Sequence, residues 1–276
     1  MTQQRLKPVV KWVGGKRQLL PVLNERLPKE YGLYCEPFIG GGALLFDIQP
    51  QEAVINDLNP ELINLYQVIK NEVESLIEDL QKHINTSEYF YNIRALDRDA
   101  EAWQKLTPVE RASRFIYLNK TCYNGLYRVN SQGQLNTPFG NYKNPSICDT
   151  ENLLAISNYF NKASITMLCG DYKNAVKQLE TNDFVYFDSP YHPVSSTASY
   201  TGYTASGFSE QNQIELYETC KELDSKGVMF MLSNSGTPFI KELYKDFEVE
   251  IVKAKRAINC KGDKRAAVEE VLVRNY

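Results

Sequence analysis

The sequence predicts an α/β fold, a sheet with helices on both faces, interrupted by a mostly helical insertion. Three features predict it. Short β-branched and aromatic runs alternate with helical signals over residues 1–60 and 161–276, as expected of strands joined by crossover helices. One run, Phe184-Val185-Tyr186-Phe187, ends in Asp188-Ser189-Pro190-Tyr191, which sets a carboxylate, a rigid turn and an exposed aromatic ring at a strand's carboxyl end. From about Leu62 to Phe160 the strand signal nearly vanishes.

The strands are expected at Leu33-Tyr34-Cys35, Ala53-Val54-Ile55, Ile165 to Leu168, Phe184 to Phe187, Val228 to Leu232, Val249 to Val252 and Val268 to Val273. Their alternation with helices implies a parallel sheet. Asn59-Pro60-Glu61 opens a helix with an N-cap, a first-turn proline and an acid that suits the helix dipole. Thr107-Pro108-Val109-Glu110 is a capping box that launches a helix through Arg114, Phe115 and Leu118. Ser209 opens an amphipathic stretch that Gly227 closes, and Thr237-Pro238 opens another. After the Thr107 helix come two loops rich in Asn, Gly, Pro and Tyr, 119–128 and 137–143, which look like a binding surface on a scaffold. The reading is therefore one discontinuous domain, 1–60 with 161–276, and a helical insertion at 61–160.

Composition narrows the chemistry. With 43% hydrophobic and 24% charged residues among 276, the chain has the profile of a soluble globular enzyme. It lacks the ~18-residue apolar stretch a membrane span needs, and its polar N-terminus is no signal peptide, so a cytoplasmic location is expected. Six scattered cysteines without a Cys-x-x-Cys pair, and only two histidines, argue against a zinc site and a disulfide framework. No metal is expected. A net charge of −3 advertises no polyanion partner, although phosphate contacts need only a local basic face. Two stretches offer one: Lys11, Lys16 and Arg17, and Lys253-Ala254-Lys255-Arg256 with Lys261, Lys264 and Arg265. Taken alone, a solvated surface is the commoner explanation of both.

After the first strand, Glu36-Pro37-Phe38-Ile39-Gly40-Gly41-Gly42 leads into a helix, a turn where bare backbone approaches a nucleotide-like cofactor. Asp57 ends the next strand, placed to accept bonds from ribose hydroxyls. A dinucleotide site wants a third glycine where this chain has Leu45. S-adenosylmethionine has no pyrophosphate to seat and tolerates that loss, so the methyl donor is favoured over a dinucleotide. A turn kept only for packing is the bland alternative, as an ordinary Asp-Ser-Pro turn is for the tetrad.

Together these segments resemble the Dam-type DNA adenine-N6 methyltransferases, which methylate adenine in short palindromes such as GATC. The resemblance runs through Lys11-Trp12-Val13-Gly14-Gly15-Lys16, the glycine loop, Tyr123-Asn124-Gly125-Leu126-Tyr127-Arg128, Pro138-Phe139-Gly140-Asn141-Tyr142, the tetrad with its tail from Pro193 to Phe208, and Leu232-Ser233-Asn234. It implies a Rossmann-like class I S-adenosylmethionine methyltransferase sheet, with 61–160 as the target-recognition insertion. Trp12, Lys16, Glu36, Pro37, Phe38, Gly40, Gly42, Asp57 and Asp188 match cofactor-contacting positions, and Asp171-Tyr172 falls where the cofactor's adenine is held. Tyr123 matches a residue that wedges into the DNA stack. Lys11, Asn124, Leu126, Arg128, Pro138 and Tyr142 match positions that touch DNA. The implied partner is double-stranded DNA, with a cognate restriction endonuclease in the same system as a second candidate and a monomer or weak dimer as the assembly.

One departure stands out: the family's tetrad reads Asp-Pro-Pro-Tyr, and this chain has Ser189 second. The chemistry asks that position for a backbone carbonyl, which serine also has. Asp188 and that carbonyl would accept the two hydrogens of a flipped adenine's N6, Pro190 would stiffen the turn, and Tyr191 would stack on the base. Arg128 can grip guanine O6 and N7, a phosphate contact being its alternative. Two rivals stay open at this point: a cytosine-N4 methyltransferase, which the leading Asp disfavours by resemblance, and a catalytically weak DNA-binding relative.

Overall fold

The computed structural model describes residues 5–194, 208–254 and 268–276. Seven strands form one sheet: β1 Tyr34–Glu36, β2 Glu52–Asp57, β3 Ser164–Cys169, β4 Phe184–Phe187, β5 Met229–Ser235, β6 Glu248–Ala254 and β7 Val268–Arg274. Their order across the sheet is β3-β2-β1-β4-β5-β7-β6. The first five run parallel; β7 lies antiparallel between β5 and β6. The sheet is therefore mixed, which corrects the expectation of a purely parallel one. The reason is that strand direction leaves no mark on an apolar run, and β6 returns to β7 as an antiparallel neighbour.

Eleven helices are described: α1 Leu20–Glu25, α2 Ala43–Ile48, α3 Pro60–Asn71, α4 Val73–Leu80, α5 Ser87–Ala95, α6 Ala100–Lys105, α7 Pro108–Thr121, α8 Thr150–Lys162, α9 Tyr172–Val176, α10 Glu210–Ser225 and α11 Pro238–Leu243. Their starts follow the local chemistry. Asn59 Oδ1 accepts the amides of Glu61 and Leu62, and Thr107 and Glu110 bond each other's backbone in a reciprocal capping box. Ser209 caps α10, Gly227 follows its last turn at φ +74°, and Thr237 caps α11.

Side chains of a strand alternate between faces, and the core divides accordingly. Phe184 and Tyr186 point into one core, Val185 and Phe187 into the other. The second core is closed by α9, α10 and α11 through Val176, Leu216, Cys220 and Ile240. The first runs without a break from Tyr34 and Ile55 into Phe90, Phe115 and Tyr117 of the helical segment. α3 packs on β2 and β3 and also on α7 and α8, so it joins the sheet to the helices that follow. No helix among the described residues is long and apolar enough to cross a membrane.

Candidate active site

Because β1 to β5 are parallel, their carboxyl ends share one edge, and the loops leaving that edge carry the expected residues. Buried Asn56 ties two of them together: its Nδ2 donates to Pro37 O and to Gly170 O, both at 2.9 Å, and its backbone carbonyl accepts from Ile39 N at 2.9 Å. Asp57 accepts Gly40 N at 3.0 Å on one carboxylate oxygen and Asn59 N at 2.9 Å on the other. A carboxylate has about four acceptor positions, so these bonds do not exhaust its capacity. Burial pushes the Asp57 carboxyl up to about 6, although the backbone N–H groups oppose the shift.

Glycine is required at two points of the turn. Gly40 (φ +46°) and Gly42 (φ +68°) are left-handed, and a Cβ would meet the Trp12 ring at 2.6 Å from the first and the Phe46 ring at 2.9 Å from the second. The Tyr66 hydroxyl donates to Gly40 O at 2.6 Å and holds the turn from α3. Beside it, Phe38 stacks on Tyr172 with centroids 5.1 Å apart, and Asp171 caps α9.

At the end of β4, the Lys16 ammonium lies 2.6 Å from an Asp188 oxygen with only 5% of the lysine side chain exposed. It also donates to Gly14 O and sits over the Tyr191 ring, 4.6 Å from its centroid. The Tyr191 hydroxyl donates to Glu270 at 2.9 Å. Tyr191 is thus half-buried and covered, where a freely exposed ring was expected. Lys16 likewise leaves the basic surface read from the sequence, while Lys11 and Arg17 remain exposed. Burial pushes the Asp188 carboxyl up, and the charge and hydrogen bond of Lys16 hold it back. Gln213 Nε2 donates to Pro190 O at 2.8 Å and Asn234 Oδ1 accepts His192 N at 2.9 Å, fixing the turn from α10 and β5. Ser189 is buried and its hydroxyl has no partner among the described residues. Glu36, also buried, accepts the Tyr34 hydroxyl at 2.8 Å; burial still pushes it up to about 8.

The two loops of the helical segment lie side by side. Tyr123 N donates to Pro138 O and Gly140 N to Thr121 O, both at 2.8 Å, and Asn136 N to Arg128 O at 2.8 Å. Arg94 Nη1 and Arg98 Nη2 donate to Thr137 O and Leu135 O at 3.1 and 2.6 Å, anchoring the second loop to α5 and the turn after it. The Lys11 ammonium sits 5.9 Å from the Tyr142 centroid. Lys11, Tyr123, Asn124, Arg128 and Pro138 are exposed, Leu126 and Tyr142 half-buried, and the Arg128 guanidinium has no protein partner among the described residues. The side chains of the 253–265 basic stretch, Cys260 and most of the tail after Pro193 lie outside the described residues. Among those described, no group of three or more His, Cys, Asp or Glu is arranged to hold a metal.

Sequence reasoning missed Asn56, Tyr66, Gln213 and Glu270. Only Glu270 left a signal, as one of two adjacent glutamates in a stretch otherwise apolar from Val268 to Val273.

This sheet order, with a glycine turn after β1 and a carboxylate-led turn after β4, is that of a Rossmann-like methyltransferase. The model of the D12 class N6 adenine-specific DNA methyltransferases matches residues 12–258, and the chain belongs to that family. It is 49% identical to the type II methyltransferase M1.LlaDCHI of Lactococcus lactis subsp. cremoris, over 98% of this chain and 96% of that protein. To the type II methyltransferase M.MjaIII of Methanocaldococcus jannaschii it is 42% identical, over 98% and 99%. To the DNA adenine methylase of Escherichia coli K12 it is 31% identical, over 95% and 93%. The enzyme is therefore an adenine-specific DNA methyltransferase, which sets the cytosine-N4 alternative aside.

Proposed function

We propose that this enzyme transfers a methyl group from S-adenosylmethionine to N6 of an adenine turned out of double-stranded DNA, in the sequence GATC. Residues 1–60 and 161–276 form its catalytic domain, and 61–160 its target-recognition insertion. The observation that carries the reading is the ammonium of Lys16, held between the Asp188 carboxylate at 2.6 Å and the face of Tyr191 at 4.6 Å. A carboxylate and a π-face that hold one cationic nitrogen suit another, the N6 that becomes cationic as it is methylated.

The donor fits the residues present. Asp57 keeps free acceptor positions for ribose hydroxyls, Phe38 and Tyr172 offer an apolar aromatic face for a purine, and Trp12 covers the glycine turn. Acids dominate this edge: Asp57, Asp171 and Asp188, with Lys16 paired to the last. That balance suits a cationic donor and opposes a pyrophosphate. When bound, S-adenosylmethionine supplies an electrophilic methyl on a cationic sulfur and leaves as a neutral thioether.

The protein's part is positioning. Adenine N6 is a poor nucleophile because its lone pair is delocalised into the ring. Once Lys16 yields the Tyr191 face, base stacking there contributes about 1–3 kcal/mol toward the few kcal/mol that flipping costs. Asp188 and the Ser189 carbonyl accept the two N6 hydrogens, which favours a pyramidal nitrogen with its lone pair directed at the methyl. Asp188 then guides away the proton of the cationic product. Tyr123 fills the stack beside the displaced base, and Lys11, Asn124, Leu126, Arg128, Pro138 and Tyr142 meet the target sequence. The type II names of the relatives support a place beside a cognate endonuclease.

Asp188→Ala is expected to abolish methylation of duplex DNA while donor binding, read by calorimetry, persists. Near wild-type turnover in that variant would refute the assignment. Digestion of the product with enzymes that require or are blocked by GATC methylation tests the target.

A further inference from the structure

We infer that Asn119 sets the register of target recognition, by clamping Lys11 to the loop that carries Tyr123 and Arg128. Asn119 is fully buried in the last turn of α7. Its Oδ1 accepts Lys11 N at 2.8 Å, and its Nδ2 donates to Lys11 O at 2.8 Å and to Gly125 O at 3.3 Å. One side chain thus answers both backbone groups of Lys11, as a neighbouring strand would, and reaches the loop as well. Lys11 belongs to an N-terminal segment more than a hundred residues away in sequence, so no local turn fixes its place. Its next neighbour, Trp12, stacks on Tyr127 of the same loop at 5.5 Å.

Contact at this junction is close. Gly125 is left-handed (φ +65°), and a Cβ there would run into the Lys11 stem. Across the junction the Lys11 ammonium reaches the Tyr142 ring at 5.9 Å. Base readout needs groups from both segments at fixed spacing, because each donor must meet one base edge. Buried amide bonds hold that spacing where long side chains alone would not. Asn119 is fully buried and offers DNA no surface; it is a positioning residue.

This inference rests on the reading of Lys11 as a base contact. The test maps methylated adenines on plasmid DNA by sequencing and compares the preferred site with sites one base different. Asn119→Asp keeps the volume and the acceptor but loses both donors. Both it and Lys11→Ala are expected to lower the preferred-to-altered ratio about tenfold, and the double variant is expected to lose nothing further at that position. A uniform slowing at all sites, or additive losses, would overturn the clamp. If Lys11→Ala leaves the ratio unchanged, the Lys11 reading fails and the clamp with it. If Lys11→Ala lowers the ratio and Asn119→Asp does not, the clamp alone fails. Should Asn119→Asp not fold, Gly125→Ala attacks the same junction and is expected to lower the ratio likewise; an unchanged ratio there would also overturn the clamp.

Discussion

Lys16 and Asp188 form an ion pair at 2.6 Å at the carboxyl end of β4, with the lysine 5% and the aspartate 21% exposed. Burial raises the Asp188 carboxyl and Lys16 opposes the rise, so Lys16→Met lets it climb further. If charged Asp188 orients the amine, the acid limb of the pH dependence of kcat/KM moves to higher pH in the variant. The sign for stability follows from the same shift. A carboxyl raised by folding stabilises fully below its unfolded value of ~3.9, and that contribution is lost as pH rises through the folded value. The variant is therefore destabilised most at neutral and higher pH, toward the lower end of the ~3–5 kcal/mol typical for a broken buried pair. An acid limb that stays in place would remove Asp188 from the catalytic step.

Ser189 separates two demands on one residue. Its hydroxyl is buried without a partner among the described residues, which costs about 1–3 kcal/mol, whereas the proposed chemistry uses only its carbonyl. Ser189→Ala is expected to keep turnover within about twofold while holding or raising the thermal midpoint. Loss of turnover with an intact fold would transfer the role to the hydroxyl.

Glu36 is pushed up to about 8, mainly by burial, against an unfolded value of ~4.3. Its stabilising share is full below that unfolded value and fades as pH rises through about 8. Each pH unit between the two values is worth ~1.4 kcal/mol, so Glu36→Gln should match the wild type at pH ~5 and exceed it by a few kcal/mol at pH ~9. Urea midpoints at the two pH values check this, and a pH-independent gap between the proteins would contradict it.

How much of this was legible in the chain depends on what each residue answers to. β1 and β4 are buried on both faces, so their apolar runs and the residues that end them, Glu36 and Asp188, stood out in sequence. Caps at Asn59, Thr107 and Ser209 are local chemistry and were equally plain. The direction of β7, the cover that Lys16 lays on Tyr191 and the reach of Asn56 and Asn119 are decided by residues distant in sequence. No short pattern encodes them, and a glutamate such as Glu270 shows its use only once β7 has brought it to Tyr191.

Arg128 offers the sharpest test of the proposed recognition face. Its guanidinium is exposed and unpaired among the described residues, on the loop that Asn119 holds beside Lys11. A bidentate grip on a guanine is worth ~1–3 kcal/mol of discrimination, roughly 5- to 150-fold. Arg128→Ala should therefore blur one position of the target by about that factor, with a smaller loss of affinity for unrelated duplex DNA. Arg128→Lys keeps the charge but lacks the planar fork, so it should restore affinity and leave the position blurred. A phosphate contact behaves differently: Arg128→Ala would weaken all sequences alike and Arg128→Lys would repair them all. Fluorescence anisotropy on cognate and single-substituted duplexes, run at two salt concentrations, tells these outcomes apart.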